Sequence, residues 1–214
     1  MLRPAFALSV VLIGLNVLVG AAAPAAQSAE PAALFERATR WSDFLASVTA
    51  RRDTWTTNAG RAAPAPEMVE RLKKVATGLR LLAVAEGACS DSVSTVPYIA
   101  RLAELAGVEL RVIGKPAAQA FLEGHRTPDG RTATPTIVLL RGAGVAGVWV
   151  ERPSALQRWH LAPEAQALEP TDRLSRKMSW YDWDRGDSTV AEIVTLAEHA
   201  ATRRDSTAAA PEIR

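Results

Sequence analysis

The sequence predicts an α/β protein: a mixed central sheet built from a βαβ unit and a ββα unit, with additional helices at the N-terminal side. Three observations carry this. The apolar run Leu81-Leu82-Ala83-Val84-Ala85 reads as a buried strand and leads, through Glu86-Gly87-Ala88, into the chain's single cysteine, Cys89, and an amphipathic helix. Thr134-Pro135-Thr136 runs straight into Ile137-Val138-Leu139-Leu140, a strand opened by proline, which cannot donate to a ladder and so belongs at a strand's first residue or an edge. Arg141-Gly142-Ala143-Gly144 then separates that run from Val145 to Val150, a hairpin signal.

Taken in order, the chain begins with Arg3 and an apolar stretch from Ala5 to Gly20, followed by small residues up to Ala29. A short positive start, an apolar core and a small-residue end describe a secretory signal peptide over 1–29, with cleavage expected between Ala22 and Ala29. The run is slightly short of the ~20 residues of a comfortable membrane span, and an uncleaved anchor is the alternative. Export would place the protein in the periplasm or outside the cell, an oxidising setting.

Residues 30–202 are expected to form the domain. Leu34, Phe35, Ala38, Trp41, Phe44, Leu45 and Val48 recur at steps of three and four, predicting one helix over 31–50. Residues 51–66 are polar with Gly60, Pro64 and Pro66, and read as a linker. Pro66 opens a second helix that Gly78 should close. The helix after Cys89 has Val93, Val96, Ile99, Ala100, Leu102, Ala103, Leu105 and Ala106 as an apolar face and should end at Gly107. Val108 to Ile113 alternates as a strand, Lys115 to Leu122 is a short helix, and residues 123–131 form a loop. A helix follows Arg152-Pro153. A last one runs from Ser188, as its cap, to about Thr202. The aromatic cluster Trp180-Tyr181-Asp182-Trp183-Asp184 is expected to pack the closing helix onto the core. The polar, alanine-rich tail 203–214 is read as disordered.

Composition limits function more than it assigns it. With 48% hydrophobic and 22% charged residues the chain affords a sizeable core, and a net charge of +2 without a run of like charges gives no nucleic-acid footprint. His125, His160 and His199 lack neighbours at ligand spacing, so neither a metal nor a cofactor is expected. Gly142-x-Gly144-x-x-Gly147 matches a phosphate-loop pattern by letters but lies between two strands, not before a helix.

Cys89 is the sharpest candidate for chemistry. A helix start leaves backbone N–H groups unpaired and favours negative charge, and the thiolate is the nucleophilic form of cysteine. Against this, an unpaired cysteine often serves as a small buried hydrophobe. Ser92, one turn on, either hydrogen-bonds a thiolate or simply belongs to helix-start chemistry. Asp91 either simply suits the helix dipole or has a part in the chemistry of the loop, where its like charge would oppose a thiolate. With no second cysteine the chain cannot close an internal disulfide, so only monothiol exchange is open to it, with a resolving thiol from elsewhere.

Glu86, Cys89, Asp91, Pro97, Pro135, Arg152 and Pro153 together resemble the thioredoxin-like superfamily, and within it a bacterial group with a Cys-x-Asp-x active-site loop. The resemblance spans roughly residues 34 to 200. It implies a thioredoxin-like fold, with Cys89 as the reacting residue and Asp91 and Ser92 beside it. It also implies a cis proline at Pro135, with Thr134 and Pro135 presenting backbone to an extended substrate. The expected partners are protein thiols and disulfides or a low-molecular-weight thiol, with no nucleic acid and no membrane once the signal is removed. The sequence departs from the pattern at Ala88, where the group carries tryptophan, and at Ser92, where dithiol relatives carry the second cysteine. Two functions therefore remain open: monothiol disulfide exchange or reduction through Cys89, and a non-catalytic binding or scaffold module. A thiol sensor is a weaker third.

Overall fold

The computed structural model describes residues 25–208, with side chains described over 31–203. The apolar segment expected to be a signal, and the end of the tail, lie outside these residues. α1 (Ala25–Arg37) already includes the last few small residues of that segment. Among the described residues no helix is long and apolar enough to cross a membrane.

Five strands form one mixed sheet in the order β1 (Thr39–Arg40), β3 (Glu109–Ile113), β2 (Leu79–Val84), β4 (Thr136–Arg141), β5 (Gly144–Val150). β2 and β3 are parallel and joined by α5 (Ser90–Ala106), the predicted βαβ unit; β4 and β5 form the predicted antiparallel hairpin. β2 is central, and all its residues but Arg80 are buried, which explains its near-continuous apolar sequence. Successive side chains point to opposite faces. Leu81 and Ala83 join Ile137 and Leu139 in the larger core, under α5 and α10 (Asp187–Ala208). Leu82 and Val84 join Val138 and Leu140 in the smaller one, under α1 and α6 (Gln119–Glu123).

The helix predicted over 31–50 is broken. β1 interrupts it, pairing Thr39 with Val112 and Arg40 with Arg111, and α2 (Trp41–Ser47) starts afresh. The reason is the sheet itself. Leu34, Phe35 and Ala38 pack on one face, whereas Trp41, Phe44, Leu45 and Val48 pack on the other. A two-residue edge strand carries the chain across. The apolar spacing was real, but it belongs to two helices serving two cores.

The predicted linker 51–66 is also overturned. Arg52–Arg61 is a helix, α3, whose Trp55 is fully buried against Trp41 and Phe44. α4 (Pro66–Lys74) begins at Pro66 as expected but ends at a Val75 cap; Gly78, at φ 68°, forms the turn into β2 instead. Gly107, at φ 71°, ends α5 as the sequence suggested.

After the hairpin come α7 (Ser154–Leu161), α8 (Pro163–Gln166) and α9 (Pro170–Asp184), each proline of this region opening a helix. Two glycines are fixed by packing. A Cβ at Gly147 would lie 2.8 Å from Leu196 Cγ, so α10 rests directly on the β5 backbone. A Cβ at Gly186, between α9 and α10, would lie 2.3 Å from the Tyr98 ring, and its φ of 85° already excludes most side chains. α10 starts at Asp187. The expected Ser188 cap is absent: Asp184 supplies it, accepting from the Ser188 N–H at 3.2 Å.

Candidate active site

Cys89 is the N-cap of α5, with extended backbone (φ −73°, ψ 123°), and it is partly exposed. The turn before it closes through its own N–H, which donates to Glu86 O at 3.0 Å. Its thiol donates to the Thr134 carbonyl at 3.1 Å, and the next peptide bond, Thr134–Pro135, is cis. The structure thus brings together Cys89, Thr134 and Pro135, forty-five residues apart in sequence, as the resemblance implied. Ser92 makes no hydrogen bond to the sulfur. Ser92 is fully buried and its hydroxyl accepts from the Glu86 N–H at 3.5 Å.

Asp91 also departs from expectation. It is not an exposed first-turn acid but is 5% exposed, with both oxygens engaged. Oδ1 accepts from Tyr181 Oη at 2.7 Å; Oδ2 accepts from Lys177 Nζ at 2.8 Å and from Arg152 Nη2 at 3.3 Å. Lys177 and Tyr181 are four apart on α9 and so share one face. Lys177 Nζ also reaches Ser90 Oγ at 2.9 Å, beside the cysteine. Arg152 in turn contacts Glu151 at 2.5 Å, and Glu151 pairs with Arg131. Buried charges are tolerated when paired and hydrogen-bonded; every charge here is paired, although Arg152 Nε and Nη1 find no hydrogen-bond partner. Its consequences reach its neighbours. Burial first, and the Asp91 charge second, hold the Tyr181 hydroxyl well above its usual range. Burial pushes His160 down to about 4, with Arg152 and Lys177 adding to the shift and Asp91 opposing it.

The aromatic cluster on α9 therefore does something other than pack an apolar core. Tyr181 turns inward to Asp91, while Trp183 stands 77% exposed, edge-on to Trp180. The inward face of α9 is committed to the ionic cluster, which leaves Trp183 on the other side.

The other flank of Cys89 comes from the segment read as a linker. Arg51 Nε donates to Ala88 O at 2.9 Å, Trp55 Nε1 to Gly87 O at 3.0 Å, and Asn58 Nδ2 to Val93 O at 2.7 Å. The last contact has a specific cause. Pro97 lies inside α5 and lacks the N–H that would bond Val93 O, four residues earlier. Asn58, 3% exposed, fills that vacancy. Gly87 is packed so closely that a Cβ there would lie 2.9 Å from Val48 Cγ2. Glu86 is no free base near the thiol: its carboxylate accepts the Lys115 N–H at 2.7 Å.

Arg51, Trp55, Asn58 and Lys177 escaped the sequence reading, and Tyr181 entered it only as part of an aromatic packing cluster. One signal was available: Pro97 inside a helical pattern demands a substitute donor for Val93 O. Among the described residues, no three His, Cys, Asp or Glu side chains gather to hold a metal. Grooves of about 640 Å³ beside Trp41, about 430 Å³ beside Arg51 and about 400 Å³ beside Trp149 are not lined by Cys89. The thiol instead sits at an open junction between two loops. Chemically, this arrangement offers one partly exposed nucleophile beside the half-buried Thr134 carbonyl.

No curated protein sequence matches the chain. Two crystal structures share its fold. One is a protein of unknown function from Pseudomonas aeruginosa, 22% identical, with TM-score 0.61 over 79% of this chain and 98% of its own. The other is an HIV epitope-scaffold, 20% identical, with TM-score 0.60 over 78% of this chain and 96% of its own. Residues 38–168 match the family described as thioredoxin, a stretch that holds the α3 flank, Cys89, Pro135 and Arg152 but stops short of Lys177 and Tyr181. With the βαβ–ββ sheet, the cysteine at the head of α5 and the cis proline beside it, the chain belongs to the thioredoxin family.

Proposed function

We propose that this is an exported thioredoxin-family protein of the Cys-x-Asp-x group that carries out monothiol disulfide exchange through Cys89. The observation that supports the reading best is the 3.1 Å contact between Cys89 Sγ and Thr134 O, next to Pro135. It places a partly exposed sulfur alongside the backbone that an extended substrate would follow. In the reaction the Cys89 thiol gives its proton to solvent, and the sulfur attacks one sulfur of a substrate disulfide. A Cys89–substrate S–S bond forms as the substrate S–S bond breaks, and the other half leaves as a thiolate. A second thiol, from substrate or a small-molecule reductant, then attacks the mixed disulfide and releases Cys89. Overall, the resolving thiol ends in a new disulfide with the half that Cys89 had captured, the other half is released as a thiol, and a second external thiol attacking that new disulfide completes the reduction.

The second reading, a binding module without exchange chemistry, is favoured by one observation: neither Asp91 nor Ser92, the polar companions of the cysteine, hydrogen-bonds its sulfur, their contacts going to Lys177, Tyr181 and Arg152 and to the Glu86 N–H. Treating the folded protein with bis(hydroxyethyl) disulfide and following the mass of the chain separates the two. Exchange predicts a mercaptoethanol adduct on Cys89, formed in the native state and removed by added thiol. An adduct that appears only in denaturant would sink the exchange reading and leave the binding module.

A further inference from the structure

Each of the two loops that meet at Cys89 is braced by a cation that has no acid partner. Arg51 Nε holds Ala88 O, the carbonyl just before the cysteine. Lys115 Nζ holds Thr132 O at 3.2 Å, two residues before Thr134. The other cations here are neutralised: Lys177 and Arg152 by Asp91, and Arg131 by Asp129 and Glu151. Among the described residues neither Arg51 nor Lys115 makes an ion pair, and the Glu86 carboxylate is turned to the Lys115 backbone N–H rather than to its ammonium.

Arg51 is also held in a left-handed conformation, φ 53° and ψ 30°, which non-glycine residues seldom adopt. Strain of this kind gathers at functional positions. The guanidinium is exposed and spends only its Nε on Ala88, so its outer edge is free to receive a carboxylate in a planar, two-point contact. Arg152, which pairs with Asp91 two residues after the cysteine, is 4% exposed and keeps Nε and Nη1 without a hydrogen-bond partner. Ala88 offers no aromatic surface beside the sulfur.

We infer that Arg51, with Lys115, selects the exchange partner of Cys89 by charge, favouring small disulfides and thiols that carry a carboxylate near the sulfur. This rests on the exchange reading and names its substrate class. The step is the one given above: the Cys89 sulfur attacks, the partner's S–S bond breaks, and the leaving half departs as a thiolate whose neighbouring carboxylate is held at Arg51.

The test compares two chromogenic disulfides on the full chain: dianionic dithiobis(nitrobenzoate) and neutral dithiodipyridine. The ratio of their rates cancels changes in the thiol itself. Arg51→Gln should lower the anionic-to-neutral ratio by about 3- to 10-fold, Arg51→Lys should restore it in part, keeping the charge but not the two-point contact, and Lys115→Gln should lower it less. Raising the salt concentration should lower the wild-type ratio and leave that of Arg51→Gln nearly flat. A ratio unchanged in Arg51→Gln, including the case where both rates fall together because the loop has lost its brace, overturns charge selection while leaving exchange intact. If neither reagent reacts with the folded protein, the exchange reading itself fails and the inference falls with it.

Discussion

The two flanks of Cys89 hold the same helix start by opposite means. On the α3 side, Trp55 and Asn58 place neutral side-chain donors on the carbonyls of Gly87 and Val93. On the α9 side, Lys177, Tyr181 and Arg152 converge on the carboxylate of Asp91. A neutral hydrogen bond onto a carbonyl contributes modestly and is lost singly. A buried ionic cluster stands or falls together, since removing one charge strands the others in a poorly solvating interior. The α3 flank thus tunes the loop in small steps, whereas the α9 flank acts as a lock.

The largest expected effect tests the lock. Asp91→Ala leaves Lys177 and Arg152 buried without their shared acceptor and should cost about 3–5 kcal/mol in urea unfolding. Replacing both sides with apolar residues, Asp91→Leu with Lys177→Met, should cost less than Asp91→Leu alone; equal costs would mean the pair is not coupled. The α3 flank comes next. Asn58→Ala should cost about 1–3 kcal/mol, because Val93 O is then buried and unpaired. In a Pro97→Ala background, where the helix regains an N–H for that carbonyl, the same change should cost visibly less. A strictly additive double mutant would refute this compensation.

The third prediction concerns pH. His160 titrates near 4 in the folded chain against an ordinary 6.5. Between those values the unfolded chain binds a proton that the folded chain refuses, so stability is full above about 6.5 and falls as the pH drops towards about 4. Unfolding midpoints measured across this range should fall more steeply in wild type than in His160→Gln. The groups facing His160 are Arg152, Lys177 and Arg173, which disfavour its charge, and Asp91, which favours it. The smallest effect on stability belongs to Cys89→Ser, within about 1 kcal/mol, since the serine hydroxyl can keep the bond to Thr134 O. The same variant should form no mixed disulfide, the chain having no other thiol. A large loss of stability would instead make Cys89 a structural residue.

Much of the fold was legible in local pattern. A continuous apolar run marked the central strand, glycines marked the hairpin and the end of α5, and Pro135 marked the start of β4. The errors have a common physical source. Apolar spacing says that a segment has a buried face but not which core it faces, so Leu34 to Val48 read as one helix when β1 divides it between two sides of the sheet. Polar composition likewise concealed α3. Its burial rests on Trp55 and Asn58 alone, and Asn58 is inside only because Pro97 leaves a carbonyl to be filled.

The sequence by itself therefore determined the order along the chain of four of the five strands, the single thiol, its place at a helix start, and the exclusion of internal disulfide chemistry. Tertiary structure alone decided what surrounds that thiol. The residues that hold its loop lie more than thirty positions before it, and those that occupy Asp91 more than sixty after it. Contacts of that separation leave no periodic trace, because a periodic pattern records only how a segment meets a surface. Which hydrogen-bonding groups meet across that surface is fixed when the helices dock.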